Sequence, residues 1–201
     1  LRNRMDHATA HQGGTPGPCR AEIAPVMVFR VGERLYGLPA GQVVRECMPV
    51  PELLPLAVAL PHVSGWFRLG AARVVVLDLG VLLGERARAV SQPLDLLYRP
   101  LLLCNLEGGG HVALLVDGAR EVTRAGVLLP GAVDGAGPEV ECAGQELELK
   151  DGGIACMLRM ADILTRGERM RLDDLMARTQ ARAALWAGTE GADEGEGEDH
   201  P

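Results

Sequence analysis

The chain has 201 residues, 47% hydrophobic and 23% charged, with 3% aromatic residues and a formal net charge of −7. That make-up suits one folded domain whose core needs no metal or disulfide staple. It excludes a stacking groove for single-stranded nucleic acid, which needs aromatic platforms, and the acidic charge opposes phosphate binding, so no nucleic-acid partner is expected.

The charge is concentrated at one end. Residues 189–201 carry Glu190, Asp193, Glu194, Glu196, Glu198 and Asp199 with no Lys or Arg, so this segment accounts for −6 of the net −7. Acids alternating with Gly and Ala have nothing to bury, and a disordered acidic tail is expected over 189–201. Residues 1–24 are polar and broken by Gly13, Gly14, Pro16, Gly17 and Pro18, which reads as a disordered arm. His7 and His11 stand four apart within it but lack further ligands, so no metal site is expected there.

Five cysteines, with no CxxC pair, suit a reducing compartment. The N-terminal residues carry no apolar signal region, and apolar stretches such as 53–60 are interrupted by proline and too short to span a bilayer. The expectation is a cytoplasmic protein without direct membrane insertion.

From residue 26 onward, short apolar runs alternate with turn residues. Residues 26–31 and 35–38 flank Gly32, Glu33 and Arg34 as a β-hairpin. Residues 42–48 form another β-leaning run, closed by Pro49 and Pro51. Residues 66–69 lead through a turn at Gly70 into Val74, Val75, Val76 and Leu77, a run that reads as a strand buried on both faces. Residues 101–106 and 111–116 pair across Gly108, Gly109 and Gly110. Residues 146–149 and 154–158 pair across Asp151, Gly152 and Gly153. Strands joined by short glycine turns indicate an all-β barrel or sandwich.

Helix is confined to a short turn over 79–83 ended by Gly84, a second over 161–165 ended near Gly167, and one long helix over about 169–187. Along the long helix Leu172, Leu175, Met176, Thr179, Ala183 and Trp186 share a face, so docking on the domain itself is expected.

Enzymatic signatures are missing from the sequence: it has no GxGxxG or GxxxxGK[ST] loop, no GxSxG elbow and no HExxH. No catalytic residue or cofactor is therefore assigned. A thiol enzyme pairing Cys47 or Cys104 with His62 or His111 is the remaining catalytic alternative. Asp78 and Asp117 are the acids embedded in apolar strands, where accepting hydrogen bonds from backbone N–H groups at strand ends is the expected role.

Those two aspartates also carry a resemblance. The run ending in Asp78 and Leu79, and residues 112–122 with Asp117, Gly118 and Glu121, resemble the CheW family of chemotaxis coupling proteins. The first hairpin, with Phe29, Tyr36 and Pro39, matches in order. So do Val44 and Glu46, which resemble a Val-x-Glu motif, and the closing segment from Asp151 to Leu158 with Asp162. Against the family pattern, Gly70 stands where an arginine is usual, Ala71 where a glycine is, and Arg68 takes an asparagine position. The spacing between Tyr36 and Glu46 is one residue longer, and that over 61–65 one residue shorter.

The resemblance implies two small five-stranded SH3-like β-barrels with a shared core over residues 25–166; the C-terminal helix, taken over 167–188, is an addition to it. It implies a non-enzymatic adaptor whose partners are a CheA-type histidine kinase and the cytoplasmic tip of a chemoreceptor. By that resemblance the partner-binding residues are Val44, Glu46, Gly65, Trp66, Arg68, Leu69 and Gly70, with Asp78, Asp117 and Gly118 as structural residues. The missing arginine leaves a diverged adaptor, serving another chemosensory pathway such as surface motility, as the alternative.

Overall fold

A computed structural model describes residues 24–56, 60–106, 109–124, 127–130 and 145–189. The N-terminal arm and the acidic tail expected from composition lie outside the described residues, apart from Ala24 and Thr189 at their borders.

The described residues form two sheets. The strands are β1 (Val26–Val31), β2 (Arg34–Pro39), β3 (Val44–Pro49), β4 (Val63–Leu69), β5 (Ala72–Asp78), β6 (Pro100–Asn105), β7 (His111–Leu115), β8 (Gly118–Thr123), β9 (Val127–Pro130), β10 (Gln145–Glu148) and β11 (Ile154–Met157). One sheet runs β8-β1-β2-β11-β10-β9 and the other β3-β6-β7-β5-β4. The all-β architecture is as expected, and so are the three glycine-turn hairpins. Two details differ: the first sheet has six strands, and neither ladder closes on itself. In the second sheet, the edge strands β3 and β4 are not paired with each other. One isolated bridge, Leu54 to Trp66, joins β4 to the chain just beyond β3.

The core explains why the strands read as apolar on both faces. Side chains alternate along a strand. In β5, Val75 and Leu77 face a cluster shared with Phe29, Val31 and Leu38 of the other sheet. Val74 and Val76 face the second sheet's own inner cluster with Phe67, Leu101, Leu103 and Leu115. The first sheet repeats the pattern, placing Val26 and Val28 against Leu147, Ala155 and Met157. Each sheet thus curls around a private core while both share a third one, and strands between two apolar layers need few polar positions.

Two pairings are parallel, β5 with β7 and β2 with β11. Each joins strands distant in sequence, which a hairpin-by-hairpin reading does not anticipate. Strand β8 is also absent from that reading. Of its residues, Ala119 to Val122 are exposed and carry Arg120 and Glu121, so it lacks an apolar alternation.

Among the described residues there are four helices: α1 (Leu79–Leu82), α2 (Pro93–Leu96), α3 (Met160–Ile163) and α4 (Arg166–Thr189). Gly167, expected to end the short third helix, instead lies in the first turn of α4. The cap there is a reciprocal Thr165–Glu168 box: the Glu168 carboxylate accepts from the Thr165 N–H at 2.8 Å, and the Glu168 N–H donates to the Thr165 hydroxyl at 3.3 Å. This box moves the helix start upstream of the predicted residue 169. Leu172 belongs to the shared core and Met176 packs against it, so the first half of α4 docks on its own domain. The Ala183 and Trp186 side chains lie outside the described ones.

Candidate partner-binding surface

The motif residues fall on two structurally different places, the edges of the second sheet and the seam between the sheets. Val44 begins β3 and is buried in the shared core. Glu46, two residues on, is exposed. Residues two apart in a regular strand share a face, but the β3–β6 register shifts between Val44 and Glu46. This β-bulge around Arg45 turns one side chain inward and the other outward.

The other group lies on β4, at the opposite edge of the same sheet and four ladder steps from β3. Gly65 has φ +151°, and a Cβ there would meet the Leu54 carbonyl oxygen at 2.8 Å. Glycine is thus what lets the Leu54 and Trp66 backbones exchange two hydrogen bonds, at 2.8 and 2.9 Å. Trp66 is half-buried, donates from Nε1 to the Pro55 carbonyl at 3.2 Å, and lies under the Arg73 guanidinium at 5.2 Å from its ring centroid. Leu69 packs partly against the inner cluster of the second sheet. Arg68 and Gly70 are exposed. Gly70 turns the β4–β5 hairpin at φ +60°.

The structure therefore separates the seven residues. Val44 and Leu69 build cores, Gly65 and Trp66 build the edge bridge, and Glu46, Arg68 and Gly70 present side chains or backbone to solvent. They do not form one contiguous ladder patch, because β6, β7 and β5 lie between the two edges that bear them.

Beside the apolar core that the sheets share, a polar junction between them is organised by carboxylates. Asp78 is fully buried and caps α1: Oδ1 accepts from the Gly80 N–H at 2.9 Å, and Oδ2 from the Val90 N–H at 2.8 Å. Asp117 Oδ2 accepts from the Gly32 N–H at 2.7 Å in the first sheet's β1–β2 turn. Arg86 donates to both acids, from Nε to Asp78 at 2.8 Å and from Nη2 to Asp117 at 2.9 Å. Arg99 forms an ion pair with Asp117 as well. Gly118 pairs with Arg30 across the β1–β8 ladder, beside this junction. The buried Asp78 and the half-buried Asp117 are thus each matched by guanidinium and backbone donors.

Sequence reasoning assigned the two aspartates but missed Arg86 and Arg99, whose loop positions carry no periodic signal. It also missed α2. There Leu94, Leu97 and Tyr98 are 81%, 63% and 87% exposed while Leu96 is buried. Their i, i+3, i+4 spacing after Pro93 was the available clue.

The cysteines offer little for thiol chemistry. Burial pushes the Cys104 pKa up to about 12. Partial desolvation, and then the adjacent Glu46 carboxylate, raise that of Cys47. A nucleophilic thiol needs the opposite shift. Cys156 is disulfide-bonded, so the expectation of reduced thiols throughout does not hold for it. No group of three or more His, Cys, Asp or Glu placed to hold a metal ion occurs among the described residues. No described helix is long and apolar enough to cross a membrane.

Comparison with known proteins converges on one family. The family model for the CheW-like domain matches residues 25–168. Among solved structures, the chain is similar to the scaffolding protein TtCheW from Thermoanaerobacter tengcongensis, with a TM-score of 0.55 and 17% identity over 69% of this chain and 90% of that one. No curated protein matches significantly. With two thirds of its length matched in one block, and with two sheets around a shared core, the chain belongs to the CheW-like domain family.

Proposed function

We propose that this chain is a non-catalytic adaptor that couples chemoreceptors to a CheA-type histidine kinase. The observation that carries this reading is the unbroken family match over residues 25–168. The solved relative TtCheW is a scaffolding protein, and an adaptor role fits what the surface offers here. Opposite edges of one rigid sheet present Glu46 and Arg68, an acid and a base pointing to solvent. Two partners can be held on two such edges without a cleft between them. Rim charges of this kind set partner choice and association rate more than total affinity.

The test is capture by the full chain of a CheA-type regulatory domain and of a receptor cytoplasmic fragment, singly and together. Ternary capture supports coupling, and capture of neither overturns it. Glu46→Arg and Arg68→Glu are the informative variants because both side chains are exposed. Leu69→Asp would instead place a charge against the inner cluster and report on folding.

A specific observation favours a second reading, an adaptor diverged toward another chemosensory pathway. Gly70 holds a left-handed conformation, φ +60°, where an arginine would be strained. The family arginine has thus been replaced by a turn that suits glycine. If Gly70→Arg folds and gains binding to a standard receptor–kinase pair, divergence is favoured. If binding is unchanged, the position is neutral in both readings.

A further inference from the structure

Helix α4 continues well past the point where it is anchored. Along it Arg171, Asp174, Leu175, Arg178 and Arg182 recur at three- and four-residue spacing and line, with Leu60, a groove of about 270 Å³. Its floor is apolar and its rim is guanidinium. Arg178 pairs with Asp174 at 2.7 Å, while Arg171 and Arg182 have no ion-pair partner among the described residues. Three arginines and one aspartate give the face a net charge of +2.

The complementary charge is in the same chain. Residues 190–199 hold six acids and no base, and they follow directly on the last residue of α4, Thr189. Counted back from Thr189 at a rise of about 1.5 Å per residue, Arg182 is about 10 Å away and Arg171 about 27 Å away. Ten extended residues cover about 33 Å, so all three arginines are within reach of this segment.

We propose that the acidic segment 190–199 folds back along α4 and occupies the arginine-lined groove, its carboxylates on Arg171, Arg178 and Arg182. Exposed ion pairs are individually weak and screened by salt. Tethering compensates by keeping the segment at high effective concentration, so several such pairs suffice for a contact that opens and closes. The groove is then a surface occupied in cis, and an acidic partner segment must displace the chain's own.

The experiment compares amide NMR spectra of the full chain with those of a chain ending at Gly188, at low and at high salt. The expected result is a set of shift differences at residues 171–182, several turns back from the truncation. They disappear at high salt and in a full chain whose six acids are changed to Gln and Asn, a variant that leaves α4 and the domain untouched. A synthetic peptide of residues 190–199 added to the truncated chain reproduces the shifts, with apparent affinity falling at least tenfold from low to high salt. Arg171→Ala with Arg182→Ala abolishes them. Differences confined to the last helical turn overturn the proposal. So do differences that grow with protein concentration, which would assign the groove to a second copy of the chain.

Discussion

Asp78, the last residue of β5, and Asp117, two residues beyond the parallel neighbour β7, share one guanidinium. Arg86 reaches the first from Nε at 2.8 Å and the second from Nη2 at 2.9 Å. Because Asp117 also accepts from Gly32 in the other sheet, this bridge connects the cap of α1 to the junction between the sheets.

Arg86→Ala should therefore be severely destabilising. It leaves a fully buried Asp78 carboxylate with backbone donors alone, and breaking a buried pair costs about 3–5 kcal/mol. Arg86 is 21% exposed, which places the expected loss toward the lower end. Urea unfolding would measure it. Gly80→Ala should act through the same bridge, since a Cβ there would collide with the Arg86 guanidinium. The double variant should cost less than the sum, and strict additivity would show that the two residues are independent.

Gly65→Ala should destabilise the chain by about 1–3 kcal/mol, because its positive φ and the Leu54 carbonyl leave no room for a side chain. The loss should be localised. With Trp186→Phe as background, Trp66 fluorescence should report a more solvated indole as the Leu54 bridge opens, and an unchanged spectrum would show that the bridge survives.

His62 should make stability fall in mild acid. It is buried, and burial holds its pKa below the ordinary imidazole value, while Glu168, with Oε1 at 3.8 Å from Nδ1, acts in the opposite direction. Asp162 and Arg171 line the same cavity. A depressed folded-state pKa means that the unfolded chain takes up the proton first. The stability from burying neutral imidazole is present above about pH 6.5 and is lost as pH falls toward the folded-state value, where the loss levels off. His62→Gln should flatten this part of the pH–stability curve, and an unchanged slope would assign it to other groups.

Glu46→Arg and Arg68→Glu should each weaken partner capture at least tenfold while leaving the urea midpoint within about 0.5 kcal/mol of the parent, as exposed substitutions do. If the two edges serve different partners, each variant should lose one partner and keep the other. Loss of the same partner by both would place the two residues at one interface.

The hairpins were legible because their information is local. Gly32 and Gly152, with φ of +57° and +80°, sit in turns flanked by apolar runs, and a short turn dictates its own antiparallel partner. The parallel β5–β7 and β2–β11 pairs were not legible, because nothing local specifies a partner across a long connection. At the candidate site, Val44 and Glu46 could be named from their motif. Their division into an inward and an outward side chain could not, since strand periodicity puts them on one face and only the bulge at Arg45 separates them.

By itself the sequence determined the all-β class, the hairpins, the long C-terminal helix and the family, because turn chemistry, periodicity and motif order are properties of short segments. Tertiary structure decided that one sheet has six strands and that neither ladder closes. It also decided that Val44 and Leu69 pack in cores while Glu46 and Arg68 face solvent, and that Arg86 joins two distant aspartates. Each of these depends on contacts between segments far apart in the chain, where the competition between burying apolar surface and satisfying buried charge is settled only once both sheets are packed.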